Sequence, residues 1–197
     1  MLAHLRSNWT SQRAVALLRF SLIGAVLLSL LAAFHPRFPG DLTMVRWVQA
    51  PATEWVDGAI WLDRLMKSVS LLGGLPVVIA SIVTVGAALV LSRRWREGLL
   101  IWMIFIPEGL IQVIQTVVDR PRPPEELVRV LEQASSGSFP SGHAYHGLLF
   151  LGLLIILSAS IRNQWLRSGA MLSFTALLLL VGLSRVYLGT HWPSDVF

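Results

Sequence analysis

The sequence predicts an all-α, polytopic bundle of membrane-spanning helices, and three observations carry that expectation. Hydrophobic residues make up 54% of the 197-residue chain and charged residues 14%, against about a quarter charged in soluble domains. Five apolar runs, at residues 15–34, 71–92, 98–118, 143–161 and 169–188, reach the roughly 20 residues that cross a hydrocarbon core. Most of the eight tryptophans lie at or outside the ends of these runs, at the headgroup depth an indole favours.

Taken in order, each run is expected as a helix, because a segment in lipid must satisfy its own backbone hydrogen bonds. The first is too long for a signal-peptide core and lacks a small-residue cleavage site, so it is expected to stay as an anchor. Residues 35–70 are too polar to span. Within them Trp55, Ala59, Leu62 and Met66 recur at helical spacing, which predicts either a short helix lying in the interface or an amphipathic connector packed on the bundle. Residues 1–197 are expected to form one domain.

Arg6 and Arg13, the arginines at 93, 94 and 96, and Arg162 and Arg167 fall on one side of a five-span layout. The positive-inside rule makes that side cytoplasmic, with the N-terminus. Trp9, Trp95 and Trp165 flank the spans there; Trp47, Trp55, Trp61 and Trp192 lie in outside segments, and Trp102 sits slightly inside a span. The net charge of +5 would suggest nucleic acid in a soluble protein. Here it reads as topology plus an anion site, with no nucleic-acid partner. With no cysteine, disulfides and thiolate metal sites are excluded.

The chemistry gathers at the outer ends of the spans. Asp119-Arg120-Pro121-Arg122-Pro123 follows the third run, Pro140-Ser141-Gly142-His143 opens the fourth, and Ser184-Arg185 with His191 and Asp195 close the fifth. Phosphate-ester cleavage calls for such a set. Arginine supplies planar, bidentate cationic donors to a phosphate dianion, and a Ser-Gly pair at a helix N-terminus offers backbone N–H groups and the positive end of the dipole. A neutral imidazole can act as nucleophile when a carboxylate fixes its tautomer, and a second histidine can protonate the leaving alkoxide.

At these residues the chain resembles the type-2 phosphatidic acid phosphatase (lipid phosphate phosphatase) superfamily, the membrane relatives of vanadium-dependent haloperoxidases. The family's Pro-Ser-Gly-His motif stands intact at residues 140–143, and its Ser-Arg-x5-His-x3-Asp motif at Ser184, Arg185, His191 and Asp195. Its Lys-x6-Arg-Pro motif is half present: Arg122-Pro123 match, but Gln115 occupies the lysine position. The resemblance implies a metal-independent phosphatase acting on a membrane lipid phosphate, without cofactor. His191 would attack phosphorus, with Asp195 hydrogen-bonded to its other ring nitrogen, and His143 would protonate the leaving alcohol. Arg122, Arg185 and the Ser141-Gly142 segment would hold the phosphate oxygens; with Gln115 at the lysine position, either phosphate binding is weaker or Arg120 compensates. It also implies a bacterial inner-membrane location, an extracytoplasmic active site, and a sixth membrane helix beyond Phe197.

A phosphotransferase using the same intermediate, or a lipid-binding scaffold descended from such an enzyme, are the alternatives. His146, one turn after His143, could join His191 and Asp195 to imitate a metal site, although the neighbouring arginines would repel a cation. His4 and His35 are expected to be structural or simply exposed. Glu108, Gln112 and Gln115 form a polar stripe at i, i+4 and i+7, expected to fix helix packing rather than to line the site. Glu125, Glu126 and Glu132 make the outer loop acidic, ordinarily a solvated face. Overhanging the site, that loop would disfavour highly charged soluble substrates.

Overall fold

A computed structural model describes the backbone at residues 2–54, 56–103 and 106–196, and side chains from residue 12 onward except 13–14, 18, 52–58 and 104–108. Trp55 lies outside the described residues, as do the side chains of His4, Arg6, Trp9, Arg13 and Glu108, all named above. The described chain is helical: α1 (Leu2–Phe34), α2 (Asp41–Glu54), α3 (Val56–Leu72), α4 (Leu75–Leu91), α5 (Trp95–Trp102), α6 (Ile106–Val118), α7 (Gly142–Ser158) and α8 (Gln164–Tyr187), followed by a 3₁₀ turn at Pro193–Asp195.

Every apolar run contains helix, with two informative differences. The second run begins only after a break at Gly73-Gly74, where α3 and α4 meet at 47°. Gly-Gly followed by a proline in the first turn of α4 is a stop-and-restart signal. The third run is divided between α5 and α6. Val15–Phe34 and Gln164–Tyr187 are long and apolar enough to cross a membrane alone, Ala59–Leu72 and Leu75–Leu91 pass as a bent pair, and Gly109–Val118 and Gly142–Ser158 are shorter apolar helices.

Local capping chemistry sets the starts of the two helices that carry the motifs. The Asn163 side chain accepts from Trp165 N (2.9 Å) and Leu166 N (3.2 Å) to begin α8, and Ser141 caps α7 through Ala144 N. These two helices pack side by side, α3 lies across α8, and α4 pairs with α5. In α3 the stripe of Ala59, Leu62 and Met66 packs against Tyr187 and Leu188 at the end of α8. A second cluster joins Val45 of α2, Val128 of the long loop, Val186 of α8 and Trp192.

Trp192 departs from the sequence expectation. Instead of lying at the headgroup level it is 2% exposed and donates its indole N–H to Pro121 O at 3.0 Å. Trp47, Trp61, Trp95 and Trp165 are exposed, as interfacial indoles would be. Of the polar stripe, Gln112 is exposed while Gln115 is buried, so the described part is not a continuous interior lining.

The turn after α8 depends on Gly189. Its φ is +72°, and a Cβ there would lie 2.3 Å from Arg129 O, so both the left-handed backbone and the close approach require glycine. Gly189→Ala is expected to cost at least about 1–3 kcal/mol, read as a lower thermal midpoint in detergent, with loss of the site that this turn carries. An unchanged midpoint would overturn this account.

Candidate active site

The three sequence clusters converge at one end of the bundle. The turn after α8 brings His191 under the loop of residues 136–141, and two backbone bonds fasten the segments: Ser138 N donates to Arg120 O (2.8 Å) and Ser141 N to Asp195 O (2.9 Å). Ser70, at the end of α3, joins them through a hydrogen bond from Arg185.

His191 is 2% exposed, and its tautomer is fixed from both sides. Nδ1 lies 2.8 Å from Ser138 O, which can only accept, so Nδ1 carries the proton. Nε2 lies 3.2 Å from Arg122 Nη1, which can only donate, so Nε2 presents its lone pair. Asp195 does not make the hydrogen bond expected from the resemblance: its Oδ2 is 3.7 Å from Nδ1, beyond bonding range. Ser138 O takes that role, while Asp195 contributes negative charge and holds the turn by accepting from Trp192 N at 2.8 Å.

Arg122 is anchored by loop carbonyls, donating to Ser136 O (2.9 Å), Gly137 O (3.2 Å) and Thr190 O (2.6 Å). Burial lowers its pKa from the ordinary value, and the charge of Arg185 lowers it further. An arginine keeps its proton regardless, so the two guanidiniums hold positive charge against each other, an arrangement an anion relieves. Arg185 is 2% exposed and donates to Ser70 Oγ and to Glu132 Oε2 (2.9 Å). Its Nε is buried with no hydrogen-bond partner among the described residues.

Arg120 is not placed to compensate for Gln115. Its guanidinium is fully buried and faces Asp41 Oδ2 (3.1 Å), Asp195, Ser194 Oγ (3.0 Å) and His35 O (3.2 Å). Its donors are engaged inside the protein, so it holds the frame. Gln115, also buried, donates its amide to Pro140 O at 2.8 Å and so supports the loop before α7. Ser141 is 1% exposed and its N–H is already bonded to Asp195. The donors that the start of α7 can offer an anion are therefore Gly142 N and His143 N.

His143 opens α7 with a partly buried ring beside the α3–α4 break. A Cβ on Gly73 would come within 2.8 Å of His143 O, and one on Gly74 within 3.9 Å of His143 Nε2. His146 Nδ1 lies 3.1 Å from Gly73 O and donates to it, pointing to the helix break rather than toward His191. No group of three or more His, Asp or Glu with metal-binding geometry occurs among the described residues.

Asp41, Ser70, Gly73, Ser138 and the contact made by Glu132 were not found by sequence reasoning. Only the Gly-Gly-Leu-Pro break carried a local signal; the others acquire their roles when distant segments meet.

Burial holds the His191 pKa below its ordinary value, the Arg122 and Arg185 charges act the same way, and Asp195 opposes them. The unfolded ring takes up a proton near pH 6.5, the folded ring only at lower pH. Its contribution to stability is therefore full above about pH 6.5 and is lost as pH falls. The thermal midpoint in detergent is expected to drop below that pH, and His191→Gln to drop less steeply. Parallel curves would overturn the assignment.

The model of the PAP2 superfamily matches residues 96–197, the segment holding every motif residue. Phosphatidylglycerophosphatase B of Bacillus subtilis is 30% identical over 145 residues, 69% of this chain and 67% of that protein. The crystal structure of a transmembrane PAP2-type phosphatidylglycerolphosphate phosphatase from Bacillus subtilis superposes with a TM-score of 0.69 at 26% identity, covering 88% of this chain and 86% of that one. Aquifex aeolicus LpxE shares the fold, with a TM-score of 0.59 at 21% identity over 81% of this chain and 87% of its own. By sequence and fold alike the chain belongs to the PAP2 superfamily, as a phosphoric-ester hydrolase.

Proposed function

We propose that the protein is a metal-independent lipid phosphate phosphatase that removes a phosphomonoester or terminal pyrophosphate group through a phosphohistidine on His191. The observation that carries this is the fixed tautomer: the Nε2 lone pair lies 3.2 Å from a guanidinium nitrogen while Nδ1–H is held by Ser138 O. A nucleophile directly beside a phosphate-binding cation is the arrangement that in-line attack on phosphorus requires.

In the first step Nε2 attacks phosphorus, the bond from phosphorus to the lipid oxygen breaks, and His143 gives the alkoxide a proton. In the second, water loses a proton to His143 and attacks the phosphohistidine, releasing inorganic phosphate and restoring His191. Arg122, Arg185 and the Gly142 and His143 amides hold the transferring oxygens. Asp195 stabilises charge on the ring. The Bacillus relative's name makes phosphatidylglycerol phosphate the first lipid to try.

The finer topology belongs to the same proposal. One domain crosses a bacterial inner membrane in five helical passages, with the N-terminus cytoplasmic and the site extracytoplasmic. Exposed Met44, Trp47, Ile60 and Trp61 of α2 and α3 would meet the headgroup layer.

Release of phosphate from a panel of lipid phosphates in micelles containing EDTA is expected for the wild type and absent for His191→Ala. Loss of wild-type release on adding EDTA would overturn the metal-free reading, and equal release by both proteins would overturn the phosphohistidine. Gln115→Lys adds a cation under the loop and is expected to tighten inhibition by orthophosphate severalfold. An unchanged inhibition constant would assign Gln115 solely to holding Pro140.

A further inference from the structure

Of the two arginines placed to hold phosphate, Arg122 and Arg185, the latter is the more enclosed, and the anion on it is supplied by the protein itself. Glu132 Oε2 lies 2.9 Å from Arg185 Nη1, in the position that a phosphate oxygen bound to this arginine would take. The two partners differ sharply in environment. The Arg185 side chain is 2% exposed, whereas that of Glu132 is 42% exposed and sits on the loop between α6 and α7. A cavity of about 230 Å³ opens beside Glu132, lined among others by Arg122, Gln133 and Thr190 but not by Arg185. Glu132 therefore has room to leave Arg185 without disturbing a helix, while Arg185 has nowhere to go.

We infer that Glu132 is an internal competitor for the phosphate site, holding Arg185 when no phosphate is bound and returning to it to displace inorganic phosphate after turnover. This rests on the phosphate-binding role of Arg185 given above. Carboxylate and phosphate compete for the same guanidinium donors. A phosphate dianion placed between Arg122 and Arg185 meets two cations, and Arg185 also offers the buried Nε that has no partner while Glu132 is in place. Incoming monoester phosphate thus gains more at Arg185 than Glu132 loses. A diester, with one negative charge, gains less, which makes Glu132 a filter for terminal phosphate groups. Once the phosphohistidine is hydrolysed, the product has lost its lipid contacts, and the tethered carboxylate is always at hand to replace it.

The test is titration of detergent-solubilised wild type, Glu132→Gln and Glu125→Gln with orthophosphate, followed by calorimetry. Glu132→Gln is expected to bind phosphate about tenfold tighter, and in turnover to show lower KM with lower kcat as product leaves more slowly. Glu125, whose carboxylate receives a hydrogen bond from Gln133, is acidic on the same loop, and Glu125→Gln is expected to bind phosphate as the wild type does. Equal or weaker binding by Glu132→Gln overturns the inference, as does equal tightening by both variants, since that reports loop charge rather than competition at Arg185. Absence of phosphate binding in both wild type and Glu132→Gln instead overturns the phosphate-site reading on which the inference stands.

Discussion

A single guanidinium closed off from solvent governs the arrangement of the site. Arg120 lies between Asp41 and Asp195, receives the ring of Phe38 with its centroid 4.8 Å from Cζ, and donates to His35 O. It therefore ties the segment after α1, the start of α2 and the turn after α8 to the end of α6. Removing one partner of such a buried set typically costs about 3–5 kcal/mol, because the other charge is left without compensation. Asp41 is itself engaged by Ser194 N and Ser194 Oγ, so the turn that carries His191 is gripped from both sides. The carboxylate of Asp195 answers to Arg120 and to Trp192 N before it answers to His191.

The arginines of the motifs consequently divide their labour by depth and by partner. Arg120 has carboxylates around it and builds the frame; Arg122 has carbonyls around it and faces the imidazole; Arg185 has one carboxylate from the exposed loop and one hydroxyl. Arg120 and Arg122 are two residues apart, and nothing in their spacing distinguishes the two roles. What distinguishes them is that Asp41 and Asp195 more than offset the positive charge of Arg120, while Arg122 has no carboxylate in contact among the described residues.

The helical architecture and the meeting of the three motif segments were legible in the sequence, because apolar runs of membrane length and intact motifs each report directly on physical requirements. The residues that complete the site were less legible. Asp41 and Ser70 stand in segments whose helical periodicity says only which face packs, and Ser138 contributes a backbone carbonyl, which no side-chain pattern reveals. Trp192 looked interfacial by type and is buried because its indole has an acceptor at Pro121 O and apolar neighbours in Val45 and Val186. The bend at Gly73-Gly74 was visible as a dipeptide, yet hydropathy alone runs across it without interruption.

The left-handed turn at Gly189 joins the buried frame that carries His191 to the inner part of the outer loop, leaving the exposed tip of that loop outside the frame. His191 is delivered by backbone geometry that a side chain at residue 189 would obstruct, and the loop residues that hold it, Arg129 behind Gly189 and Ser138 at the ring, belong to the inner part of the outer loop. Glu125, Gln133 and Ala134 lie on exposed loop surface beyond that frame, where replacement disturbs no core cluster. The exposed tip of the loop could therefore be rewritten in sequence while the His191 turn stays in register, as a lathe changes its work without moving its spindle.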